Sequence, residues 1–193
     1  MKLLSRNPFV FAALLAGLCL APAFARASAP ALPDDQIVEA KALLSRDAVR
    51  PGETFKAAVI LKIRPGYHIN DNAPLDEFLI PTALAIADDP AVEVVEISYP
   101  AGHRGRFAYS QVDLVVYEGE AVLGVLLKAT AGLPAGTLKL KAVLTYQACD
   151  NGSCLPPKDL AFDIAVPALP PGGEGRDLHP GIFSKLSFKT AVK

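Results

Sequence analysis

The chain has 193 residues, 51% of them hydrophobic, and its 19 Lys+Arg against 20 Asp+Glu leave a formal charge of −1. That balance excludes a nucleic-acid or polybasic membrane-surface protein, whose affinity depends on clustered positive charge. The apolar content suffices for one packed core, and the length leaves no room for two large domains.

Met1–Arg6 is short and positive, and Phe9–Ala21 is an apolar run of 13 residues ended by Pro22. Such a run is too short for a hydrocarbon core, which needs roughly 20 residues, but suits a secretory h-region. Ala23-Phe24-Ala25 fits the small-x-small cleavage pattern. Residues 1–25 are therefore predicted to be a cleaved signal peptide, with Ala27 and Ala29 as alternative cut sites. Leu18 precedes Cys19 where lipid attachment needs a small residue, so no lipid anchor is expected. The mature protein is expected to be exported to a compartment where disulfides form.

Residues 26–36 read as a loose leader. From Ile37 the pattern turns to period two: Val38, Ala40, Ala42 and Leu44 share one parity. After the turn Arg50-Pro51-Gly52-Glu53, Phe55, Ala57, Val59, Leu61 and Ile63 define one face of a half-buried strand. Leu75–Ala87 is the nearest approach to a helical stripe, and Pro81 interrupts it. Val92–Tyr99 is β-rich with a parity break between Val94 and Val95, which predicts a bulge. Val112, Leu114 and Val116 alternate with Gln111 and Asp113. A turn at Glu118-Gly119 leads into Ala121–Ala129, apolar on both faces and so predicted to be a central strand. Leu138, Leu140, Ala142, Leu144 and Tyr146 face one way, and Leu160, Phe162, Ile164 and Val166 form the last strand. About seven short strands with regularly spaced turns predict an all-β, immunoglobulin-like antiparallel β-sandwich over residues 37–167. Residues 168–193 read as a Pro/Gly linker and a tail whose Ile182, Phe183, Leu186 and Phe188 either dock on the sandwich or stay free.

Without the signal segment two cysteines remain, in Tyr146-Gln147-Ala148-Cys149-Asp150-Asn151-Gly152-Ser153-Cys154-Leu155-Pro156-Pro157. Asn151-Gly152 is a turn signal, and the flanking strands make this a hairpin tip. Cysteines on either side of a four-residue turn can approach the roughly 5.5–6 Å Cα separation that a disulfide needs. Closing so short a loop gives only about 2 kcal/mol in the chain-entropy model, little for a structural staple. From spacing alone three readings stay open: redox exchange, an inert staple, or thiolate ligation of Cu(I) or Zn²⁺ with His68 and His103. No Gly-x-Ser-x-Gly elbow, phosphate-cradling loop or His-Glu-x-x-His motif supports hydrolase or nucleotide chemistry.

The cysteine hairpin resembles that of the N-terminal periplasmic domain of the thiol:disulfide interchange protein DsbD. Ala48-Val49-Arg50-Pro51-Gly52-Glu53-Thr54-Phe55, Ile63-Arg64-Pro65-Gly66-Tyr67-His68-Ile69-Asn70, Leu79-Ile80-Pro81-Thr82 and Tyr117-Glu118-Gly119-Glu120 match other family segments in order. The resemblance implies an immunoglobulin-like domain that accepts electrons from a thioredoxin-like donor and passes them to periplasmic thioredoxin-fold or disulfide-bonded proteins. It implies that Cys154 forms the mixed disulfide and Cys149 resolves it, with no cofactor beyond that redox-active pair. It further implies a cap loop at 102–109 with Phe107 as lid, and places Tyr67, His68 and Asn70 beside the disulfide. Arg104 and Arg106 stand where the best-known members carry acids, and either one near the thiols would favour thiolate. The full-length transporters continue into a membrane electron conduit and a thioredoxin-like domain, so separate proteins are the expected electron source here.

Overall fold

Residues 36–76, 78–170 and 172–190 are described by the computed structural model. The predicted signal segment, and all of the leader except Gln36, lie outside them.

Strand β1 (Val38–Leu44) pairs with β2 (Thr54–Ile63), which pairs with β8 (Glu120–Ala129), which pairs with β5 (Val92–Ser98). A second sheet runs β11 (Lys158–Pro167), β9 (Thr137–Tyr146), β4 (Ala83–Ile86). The third is built of short strands in the order β10 (Ala148–Cys149), β3 (His68–Asn70), β7 (Leu114–Glu118), β6 (His103–Gly105). Each strand pair is antiparallel. The architecture is the all-β immunoglobulin-like sandwich that the alternation predicts.

The period-two faces meet in one core. Phe55, Ala57, Val59, Leu61 and Ile63 of β2 and Leu123, Val125 and Leu127 of β8 are buried with Leu140 and Leu144 of β9, Ile164 of β11, and Ile69 and Tyr117 of the third sheet. Each fully buried Val, Leu, Ile or Phe contributes about 1.5–3 kcal/mol relative to exposure. The cluster therefore welds the three sheets into one body.

The predicted bulge is present: Val94 faces Leu127 and Glu96 faces Leu126, so Val95 is the extra residue. Strand β8 is central, and its second face is covered by the tail. A Cβ on Gly124 would lie 2.9 Å from the Phe188 ring and 3.4 Å from Leu186, so only glycine allows this approach. The tail docks. Leu178 N donates to Ser45 O (2.8 Å) before the single-turn helix α1 (Pro180–Phe183), which buries Phe183. Ser98 Oγ donates to Ser187 O (2.6 Å), and Lys189 N and Thr190 N donate to the Glu96 carboxylate, both at 2.8 Å.

Two expectations need correction. The described residues form eleven strands rather than about seven, because β3, β4, β6 and β10 have four residues or fewer and show no periodicity of their own. Val112 is 56% exposed and precedes β7, so the alternation beginning at Gln111 starts in a loop.

Candidate functional site

After Tyr146 the chain leaves β9 and crosses to the third sheet, where Ala148 sits opposite Ile69 and Cys149 opposite His68. It then turns back on itself. Leu155 N donates to Ala148 O (2.8 Å), and Asp150 N donates to Ser153 O (2.9 Å). These bonds bracket Cys149 and Cys154 as a non-hydrogen-bonded antiparallel pair, the closer of the two kinds of pair at about 4.5 Å between Cα atoms. The cysteines are joined as a disulfide across this pair, with Cα atoms 3.9 Å apart, closer than the expected separation. The turn is not closed by a left-handed glycine, since Gly152 is not among the positive-φ residues. Instead Asp150 Oδ1 accepts from Gly152 N (2.7 Å) and Ser153 N (2.8 Å). These two N–H donors hold the Asp150 carboxyl below its ordinary value.

Cys149 is fully buried, whereas Cys154 is half-buried. The two sulfurs differ in access.

His68 is also buried, at 2% exposure, on the face of the sheet that its register partner Cys149 occupies. The Phe107 ring stacks on its imidazole with centroids 3.8 Å apart. Tyr109 lies parallel to both rings, 5.8 Å from Phe107 and 6.1 Å from His68, and its hydroxyl shares a 2.7 Å hydrogen bond with His68 Nε2. Ala108 N donates to Asn151 O (3.2 Å), tying this loop to the cysteine turn. Burial pushes the His68 imidazole below 6.5, opposed by the nearby Glu118 and Asp150 carboxylates. Burial likewise raises the Tyr109 phenol. At neutral pH the pair is therefore an uncharged imidazole and an uncharged phenol.

Asn70 is fully buried and acts through its amide. Nδ2 donates to Ile80 O (2.9 Å) and Gln147 Oε1 (3.3 Å), while Gln147 Nε2 donates to Leu155 O (3.2 Å). Thr82 Oγ1 donates to Asn70 O (2.6 Å). The returning limb of the cysteine turn is thus braced to the 71–82 segment. Tyr67 packs against the sandwich core, following a turn in which its N–H donates to Arg64 O (3.1 Å).

The remaining candidates are engaged elsewhere or point outward. Arg106 pairs with Asp113 at 3.2 Å and both are exposed; Arg104 is exposed on β6. His103 pairs with Glu118 at 3.3 Å. His179 takes a left-handed φ of 50° ahead of α1. Among the described residues no group of three or more His, Cys, Asp or Glu is arranged to hold a metal ion.

The family resemblance implies Phe107, Tyr67, His68 and Asn70 around Cys149 and Cys154; in the structure Tyr109, Asp150 and Gln147 also bond to members of this set or to the cysteine turn. The Asp150-Asn151-Gly152-Ser153 run carries an Asx-turn signal that points to the carboxylate. Tyr109 and Gln147 carry none: Tyr109 meets His68 across 41 residues of sequence, and Gln147 joins Leu155, eight residues on, to Ile80 and Asn70, 67 and 77 residues back.

These features define a class: an all-β sandwich with a disulfide strung across a four-residue turn beside a stack of three rings. The family described as thiol:disulfide interchange protein DsbD, N-terminal, matches residues 34–165, and the chain belongs to it. It is a thiol–disulfide exchange domain. Among solved structures, the N-terminal periplasmic domain of ScsB from Proteus mirabilis is similar at 17% identity and a TM-score of 0.49, over 70% of this chain. The chain spans about half, 49%, of that one. No curated protein matches.

Proposed function

We propose that the protein is a periplasmic thiol–disulfide relay. The Cys149–Cys154 pair takes reducing equivalents from a thioredoxin-like donor and passes them to disulfide-bonded periplasmic proteins. The observation that carries this reading is the asymmetry of the bond: Cys149 is fully buried and Cys154 is half-buried, across a turn already closed by two backbone hydrogen bonds. The donor's thiolate attacks the accessible Cys154 sulfur and Cys149 leaves, and the donor's second thiol then frees Cys154. The reduced Cys154 attacks an acceptor's disulfide, and Cys149 displaces the reduced acceptor as the Cys149–Cys154 bond re-forms. The turn needs no staple, because its ends are already held together. Thiolate attack on sulfur uses no organic cofactor or metal.

On this reading Phe107 is the lid, held by His68 and Tyr109, while Asn70 fixes the return limb and Tyr67 anchors the start of β3 against the sandwich core. Residues 1–25 direct export and are removed, 26–36 are a leader, 37–167 are the redox domain and 168–193 are a Pro/Gly linker and tail.

Trapping tests the relay. Cys149→Ser leaves Cys154 without its resolving partner, so mixed disulfides accumulate in the native periplasm. Covalent recovery of thioredoxin-fold proteins through Cys154 is the expected result; an empty trap under reducing flux contradicts the relay.

A further inference from the structure

Cys149 poses a chemical problem for any such exchange. A thiol attacks only as thiolate, and burial in an apolar site keeps it protonated. The buried Cys149 therefore needs a base at hand when it closes onto Cys154.

The groups around that position can be compared one by one. Asp150, on the cysteine turn, has an oxygen occupied by two backbone N–H donors and is a weakened base. Tyr109, on the cap loop, has its phenol raised and keeps its proton. Glu118 of β7 and His103 of β6 are paired with one another and about half exposed. Cys154 is the sulfur under attack. His68 alone of these combines burial, an uncharged imidazole at neutral pH and the position directly opposite Cys149 on β3.

We propose that His68 is the proton acceptor for Cys149 in the ring-closing step, and that Tyr109 orients it. In the tautomer that serves this role, Nε2–H donates to Tyr109 Oη across the 2.7 Å hydrogen bond, which leaves Nδ1 free for the thiol proton. The Cys149 S–H proton passes to Nδ1 and the thiolate attacks Cys154 Sγ. The Cys149–Cys154 bond forms as the bond from Cys154 to the partner sulfur breaks, and the partner leaves with the electron pair. Cys149 and Cys154 are oxidised, the partner sulfur is reduced, and the imidazolium returns its proton to the departing thiolate or to water. The Asp150 and Glu118 carboxylates favour the transient imidazolium. Phe107, stacked at 3.8 Å, keeps the ring from turning.

This inference rests on Cys149 as the resolving cysteine, but its test needs no physiological partner. Reduced protein treated with 5,5′-dithiobis(2-nitrobenzoate) forms an adduct on Cys154, and ring closure releases a second thionitrobenzoate that is followed by absorbance. In the wild type the closure rate should rise through the acid range, level off near neutrality and rise again as the thiol itself ionises. His68→Gln should lose the plateau, run roughly 10²-fold slower at pH 7, and rejoin the wild type in alkali. A wild-type profile in the variant, or one slowed equally at every pH, overturns the proposal. If His68→Gln does not fold, Tyr109→Phe serves: the plateau's acid edge should move, and an unmoved edge overturns the role. An empty trap with Cys149→Ser would sink the relay while leaving this closure step measurable.

Discussion

Gly105 shows how a single residue can set the geometry of the site. A Cβ there would stand 2.6 Å and 2.7 Å from two atoms of the Phe107 ring, closer than carbon atoms approach. The ring must then move off the His68 imidazole that it covers. Gly105→Ala is therefore expected to leave the sandwich folded and to speed reduction of the native disulfide by dithiothreitol several-fold. An unchanged rate would mean that the placement of Phe107 does not control access. Asn70 works differently, because its amide joins the 71–82 segment to Gln147 and so to the residue after Cys154. Its own Oδ1 is buried without a partner, a polarity that the site tolerates for the sake of the two bonds that Nδ2 makes.

Among the elements, the tail is held in part by a carboxylate. Lys189 N and Thr190 N donate to the Glu96 carboxylate and hold it below its ordinary value of 4.5. A carboxyl whose folded value is depressed binds fewer protons folded than unfolded. Its contribution is present above 4.5 and is lost as the pH falls through the lowered value. Backbone order parameters of residues 187–190 should accordingly drop on acidification, and Glu96→Gln should remove that dependence. Constant order across the range would show that apolar contact of Phe188 with β8 suffices. The long strands were legible in the sequence because ten-residue runs such as β2 and β9 repeat their period often enough to fix a face. The bulge at Val95 was legible for the same reason, as a break in a pattern. The short strands β3, β6 and β10, which build the site, were not: two or three residues carry no period, and their pairing is set by neighbours distant in sequence. The cysteines were legible by spacing, whereas His68 meets Tyr109 only through the fold.

At the scale of the whole molecule, stability and exchange are carried by separate parts. The core draws on all three sheets, while the disulfide closes a six-residue loop at the edge. That closure stabilises by about 2 kcal/mol in the chain-entropy model. For a domain of this size reduction should then lower Tm by roughly 4–8 °C and leave the far-ultraviolet circular dichroism intact. A fall of several times that size would make the bond a structural staple after all. Keeping the fold almost independent of the bond lets the bond open without unfolding the protein.

The relay requires that opening. Mixing the purified, oxidised protein with a reduced thioredoxin-fold dithiol protein, and quenching with acid over time, gives the rate and extent of exchange directly. Rapid equilibration, far faster than with an equal concentration of dithiothreitol, is the predicted result. A Cys149–Cys154 bond that stays closed while the same dithiol protein reduces other disulfides in the mixture would contradict it.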